Sequence, residues 1–151
     1  MMQAAFFYEN TLDWKSQRIG TLQAPGLPAL ETATPPEFPK GQAGTWSPEQ
    51  LFVASVNACL MTTFLAIADN SRLPVTAYTS RATGKLEKVN RQYQISEVLV
   101  EITLTIPQEE DLPRAERLIR KAESACLISQ SIKSAVVVIP EIEIARLIAN
   151  L

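Results

Sequence analysis

Ser47-Pro48-Glu49-Gln50-Leu51-Phe52-Val53-Ala54-Ser55-Val56-Asn57-Ala58-Cys59-Leu60-Met61-Thr62-Thr63-Phe64-Leu65-Ala66-Ile67-Ala68 reads as a helix with its own start signal. Ser47 is a good N-cap, and Pro48 suits the first helical position, where its missing N–H costs nothing. Gln50, three residues after Ser47, completes a capping box, and Glu49 places a negative charge at the positive end of the helix dipole. No charged residue occurs from Gln50 to Ala68, and apolar side chains fall on nearly every face. That is the pattern of a helix buried all round. One thiol, Cys59, sits in its middle.

Downstream of this helix, residues 69–74 read as a turn and residues 75–89 as a strand. Lys88-Val89-Asn90-Arg91 is the hairpin region, and residues 93–106 form a second long strand in which Ile95, Val98, Val100, Ile102, Leu104 and Ile106 mostly alternate. Pro107 stops it. Asp111 is placed to cap a second helix running to about Cys126, with Ala115, Leu118, Ile119 and Ala122 at helical spacing opposite Arg114, Arg117, Lys121 and Glu123. A short turn or helix over 129–134 leads to a final strand, 135–144, broken at Pro140. Upstream, residues 3–8 and 12–22 read as strands around a turn near Glu9-Asn10, with Trp14 and Arg18 on one face. Residues 24–44 are a Pro- and Gly-rich loop containing a short strand at 27–33. The order predicts a single α+β domain over 1–151: an antiparallel sheet packed against a buried central helix and a second, amphipathic helix.

Composition narrows the chemistry. The chain has 151 residues and a net charge of -2, so neither nucleic acid nor an acidic membrane is an expected partner. Histidine is absent, which removes imidazole bases, imidazole metal ligands and Ser-His-Asp or Cys-His triads. Two cysteines cannot build a four-thiolate zinc site, no acidic cluster has calcium-loop spacing, and the 5 glycines form no phosphate loop. No metal or cofactor is expected. The N-terminal residues lack a secretory pattern, so the expected location is cytoplasmic. Residues 50–68 reach the length of a minimal membrane span, but Gln50, Ser55, Asn57, Thr62 and Thr63 dilute them and no Lys or Arg flanks them closely. A core helix is the preferred reading and a membrane anchor the rival one.

Cys59 and Cys126 are the only thiols. Free cysteine often serves as a small buried hydrophobe. A permanent disulfide is disfavoured in the cytoplasm, so a working pair there is more often catalytic or redox-cycling than structural. Spacing alone leaves packing and chemistry both open.

The residues Gly44-Thr45-Trp46-Ser47-Pro48-Glu49-Gln50-Leu51-Phe52-Val53-Ala54-Ser55-Val56-Asn57-Ala58-Cys59 closely resemble the signature of the OsmC/Ohr family, the osmotically induced and organic hydroperoxide resistance proteins. Ala122-Glu123-Ser124-Ala125-Cys126-Leu127-Ile128-Ser129 resembles its second cysteine motif, with Leu127 where the family usually has proline. Gln17-Arg18-Ile19-Gly20 resembles its arginine segment. The resemblance implies a thiol peroxidase reducing organic hydroperoxides to alcohols. By the same carry-over, Cys59 is the peroxidatic thiol, Cys126 the resolving thiol, and Arg18 and Glu49 the activating pair. Phe52, Val56, Met61 and Phe64 would supply apolar walls that favour an organic peroxide. An external dithiol, in the family's Ohr branch a lipoylated protein, would reduce the Cys59–Cys126 disulfide. The competing reading is a protein of the same fold that binds a ligand or serves a structural role without peroxidase activity.

One consequence follows from helical geometry. Glu49 and Cys59 are ten residues apart, hence ~15 Å along a straight helix and about 80° apart around it. Glu49 serves Cys59 only if the helix breaks or a second chain supplies it. The apolar surface of the helix favours a second chain, which predicts an intertwined homodimer with sites at its interface.

Overall fold

The computed structural model describes residues 3–146, which fall into two compact units, one ending at Leu51 and the other starting at Phe52. The architecture is α+β.

The first unit carries a three-stranded antiparallel sheet in the order β1 (Thr11–Ser16), β2 (Ile19–Gln23), β3 (Leu30–Ala33). Residues 3–10 have no regular structure, so the strand expected at 3–8 is not there. The single strand expected over 12–22 is instead a tight hairpin, with Ser16 paired to Ile19 across Gln17-Arg18. Gln17 takes a positive φ of 47°, and the Trp14 indole N–H donates to its carbonyl at 3.1 Å. Alternating polarity persists through such a turn, which is why the sequence pattern conceals it. The loop that follows returns Trp46 to β3, where the Ala33 N–H donates to the Trp46 carbonyl at 3.0 Å. The Ser47 hydroxyl, buried, accepts the Gln50 N–H at 3.1 Å and so starts helix α1 (Pro48–Asn70) as its sequence predicts.

In the second unit, α1 lies over a sheet of β4 (Ala77–Val89), β5 (Gln92–Ile106) and β6 (Ala135–Ile144), in the order β4-β5-β6. The β4–β5 hairpin turns on Asn90-Arg91, both at positive φ, 50° and 69°, as a two-residue hairpin loop demands. β6 departs from expectation. It runs parallel to β5 and is unbroken, with Pro140 paired opposite Ile102. Proline is tolerated because β6 is an edge strand, where one face of the backbone needs no partner. The sheet is therefore mixed, not wholly antiparallel.

A 3-10 turn at Glu109–Asp111 leads into α2 (Leu112–Ala125). Asp111 occupies the N-cap position but makes no capping bond; its carboxylate pairs with Arg114 at 3.0 Å. The Arg114 guanidinium also donates to the carbonyls of Ser71 at 3.0 Å and Arg72 at 3.4 Å, satisfying acceptors just past the end of α1. The core joins one stripe of α1 (Val53, Val56, Leu60, Phe64, Ala68), the inner face of β5 (Val98 to Ile106) and the apolar stripe of α2. Only that stripe of α1 is buried, so the expectation of burial all round is corrected: Met61 is 37% and Leu65 38% exposed. α1 is also long and apolar enough to cross a membrane by length and composition.

Candidate functional site

Cys59 sits on α1 one residue before the buried Leu60, at the margin of the packed stripe, and is half-buried. Its sulfur lies 3.8 Å from the Thr63 hydroxyl one helical turn on. Cys126 is not on a helix, as its spacing suggests, but in the break between α2 and α3 (Leu127–Gln130), in an extended conformation with φ −63° and ψ 109°. That break aims Cys126 inward. It is 0% exposed. Both cysteines are free.

The forces on Cys59 act in both directions. Burial pushes its thiol up. Hydrogen bonds from the Ile128 amide, the Cys126 thiol, the Thr63 hydroxyl and the Leu127 amide pull it down, and together they prevail, so Cys59 titrates below the ordinary thiol value. Main-chain donors leave no trace in a list of side chains, and sequence reasoning missed them. Thr63 was legible, since i and i+4 positions meet on a helix.

Beneath the pair, the Ser80 hydroxyl donates to the Asn57 amide oxygen at 2.6 Å, and Tyr78 stacks on Phe64 with ring centroids 5.8 Å apart. Burial holds the Tyr78 phenol above its usual value, with Ser80 pulling the other way and charge at Cys126 reinforcing the rise. The phenol oxygen is enclosed and has no hydrogen-bond partner of good geometry.

Val56 and Phe64 are buried in the core, while Phe52 is half-buried and Met61 exposed. Arg18 lies in the β1–β2 turn, solvent-exposed, and not on a strand face beside Trp14. Within the first unit, Arg18 and Glu49 form no ion pair, and one Glu49 carboxylate oxygen is enclosed without a hydrogen-bond partner. α1 is continuous from Pro48 to Asn70, so no break brings Glu49 back toward Cys59, ~15 Å along the same axis. Among the described residues no group of three or more Cys, Asp or Glu side chains is placed to hold a metal.

Comparison with known proteins places the fold. No curated protein matches the chain. Solved structures share the fold. An OsmC-like protein of unknown function from Vibrio cholerae is 24% identical with a TM-score of 0.81, over 91% of this chain and 99% of that one. An organic hydroperoxide resistance protein OsmC from Legionella pneumophila is 23% identical with a TM-score of 0.73, over 94% and 100%. The organic hydroperoxide resistance protein OhrB of Bacillus subtilis is 20% identical with a TM-score of 0.65, over 93% and 100%. A model of the OsmC-like protein family matches residues 41–141, the segment that holds both cysteines and the whole of α1. With two thirds of its length so matched, the chain belongs to the OsmC-like protein family.

Proposed function

We propose that this protein is a thiol peroxidase that reduces organic hydroperoxides to alcohols, with Cys59 as the reacting thiol and Cys126 as the resolving one. The observation that carries the reading is a half-buried thiol held below its ordinary titration by neighbours that include a second, enclosed thiol, Cys126, in the same unit. The Cys59 thiolate attacks the terminal oxygen of R–O–OH. The O–O bond breaks, the alkoxide leaves and takes up a proton as the alcohol, and Cys59 retains the hydroxyl as a sulfenic acid. The Cys126 thiol then condenses with it, releasing water and forming the disulfide. An external dithiol, such as a lipoylated protein in the cytoplasm, reduces that bond by exchange.

The working unit in this proposal is an intertwined homodimer in which a second copy supplies Arg18 and Glu49 to Cys59. Its support is the exposed apolar half of α1 and the ~15 Å of helix between Glu49 and Cys59. Phe52 and Met61 are the apolar residues left to face an organic substrate; Val56 and Phe64 act from the core.

Stopped-flow consumption of cumene hydroperoxide tests the reading. Turnover with a dithiol is expected for the unmutated protein, none for Cys59→Ser, and a single stoichiometric turnover with a monothiol-sensitive sulfenic acid for Cys126→Ser. An unmutated protein that leaves the peroxide untouched favours the ligand-binding or structural alternative.

A further inference from the structure

The two helices that lead to the cysteines pack in one core cluster against the inner face of β5. α1 runs antiparallel to β4: a Cβ at Gly84 would meet Val53, Ser80 bonds Asn57, and Tyr78 stacks on Phe64. β5 is antiparallel to β4 and parallel to β6, and α2 makes the crossover between them. α2 therefore runs opposite to β5, and so opposite to α1. At one end the two helices are tied. The guanidinium of Arg114, in the first turn of α2, donates to the carbonyls of Ser71 at 3.0 Å and Arg72 at 3.4 Å, and the Asp111 carboxylate holds it there at 3.0 Å. Counted from this tie, Cys59 lies 12 residues back from Ser71 along α1, and Cys126 lies 12 residues on from Arg114 along α2. Each arm is ~18 Å at the rise of an α-helix. Equal arms from a common tie bring the two cysteines to one level, and Cys126 is among the neighbours that pull the Cys59 thiol down.

We propose that Arg114 is a positioning residue for the cysteine pair: it fixes the axial register of α2 against α1 and so sets how closely Cys126 approaches Cys59. The inference rests on reading Cys126 as the partner thiol of Cys59. Apolar burial is non-directional, so it holds the helices together without selecting one register. The fork of Arg114 across two carbonyls and a carboxylate does select one. Slip by one residue moves a cysteine by ~1.5 Å, whereas a disulfide needs its two Cβ atoms roughly 3.5–4.5 Å apart. Loss of the tie therefore lowers the effective concentration of one thiol at the other while leaving both cysteines in place.

The test is the equilibrium of the Cys59–Cys126 pair in glutathione redox buffers. Oxidised glutathione takes two electrons from the two thiols. The protein disulfide forms, and two molecules of reduced glutathione carry away the two protons. The fraction oxidised is read by alkylation and mass spectrometry, with folding followed by circular dichroism. Arg114→Met is expected to lower the equilibrium constant for disulfide formation about tenfold, which raises the potential of this two-electron couple by ~30 mV. Arg114→Lys keeps the charge without the fork; it should show a smaller drop, and it carries the test should Arg114→Met fail to fold. Ser47→Ala is the control. It weakens the fold by removing the cap at the other end of α1 and is expected to leave the constant at the parent value. An unchanged constant in Arg114→Lys, or a drop of the same size in Ser47→Ala, overturns the proposal. A parent protein that forms no Cys59–Cys126 disulfide in any of the buffers overturns it together with the resolving role of Cys126. No peroxide enters the measurement, so a protein that passes it yet ignores cumene hydroperoxide refutes the peroxidase reading and leaves the role of Arg114 standing.

Discussion

Cys59 is held between a desolvation that favours the neutral thiol and four hydrogen bonds that favour the anion. Thr63 is the one side-chain hydroxyl among them, so Thr63→Val, of nearly the same shape, removes a single donor. Its alkylation midpoint is expected to rise while the fold and melting temperature change little; a midpoint at the parent value would mean that the 3.8 Å contact carries no charge stabilisation. The pH dependence has a definite sign. The folded thiol ionises more readily than the unfolded one, so the thiolate contacts add stability above the unfolded-state value, and that contribution disappears as pH falls through the folded-state value. Urea midpoints of the unmutated protein, measured against those of Cys59→Ser across this range, should therefore diverge toward alkaline pH. Divergence toward acid would contradict the assigned direction. Of this residue-scale picture the sequence shows the two cysteines and Thr63. It is silent on the amides, because every residue but proline carries the same N–H and only the break after Ala125 decides which of them are free.

Among the elements, α1 and the β4–β5 hairpin meet at Gly84, where a Cβ would run into the Val53 side chain. Gly84→Ala should cost about 1–3 kcal/mol in chemical denaturation, as overpacking does. Val53→Ala in the same chain should recover part of that loss, and strictly additive effects would place the strain elsewhere. The hairpin turn offers the opposite change. Arg91 holds a φ of 69°, a region in which a Cβ costs ~1–2 kcal/mol. Arg91→Gly is expected to stabilise the protein by up to about 1 kcal/mol, with the gain read from the same denaturation curves. Both long strands and the α1 cap were legible because each depends on neighbours in sequence: alternation over Tyr93–Ile106 and Ser47 three residues before Gln50. The direction of β6 was not. Its own pattern is equally compatible with either partner orientation, and the crossing of α2 over the sheet decides it. Residues 12–22 misled for a related reason, since a two-residue turn at Gln17-Arg18 preserves the strand alternation on both sides.

For the molecule as a whole, the apolar half of α1 left outside the core, with Met61 and Leu65, is the surface that the proposed dimer must cover. The unmutated protein is expected to sediment at twice its chain mass of 16.7 kDa and to remain in solution without membranes. Leu65→Glu should sediment as a folded single chain that has lost peroxide turnover but keeps the lowered Cys59 titration, since the groups that set it belong to the same unit of the same chain. A sedimentation mass of one chain for the unmutated protein would remove the dimer from the proposal. The sequence conveyed that α1 has more apolar surface than one helix packing can use. It could not apportion that surface between the core of one chain and a second copy, because both burials are served by the same residue types.

The parallel pairing of β6 also sets an order of events during synthesis. β4 and β5 close through a two-residue turn and need only each other, whereas β6 pairs with β5 from Glu97↔Ala135 to Ile106↔Ile144 and must wait until α2 has crossed. Local pairings of the first kind form early, and distant ones of the second kind form late. Until residues 135–144 have emerged, β5 keeps one unpaired edge within a segment that carries Val98, Val100, Ile102, Leu104 and Ile106. A nascent chain stalled before Ala135 therefore presents an open apolar strand edge, the feature that recruits other strands. Pairing with β6 is the event that closes this edge of β5.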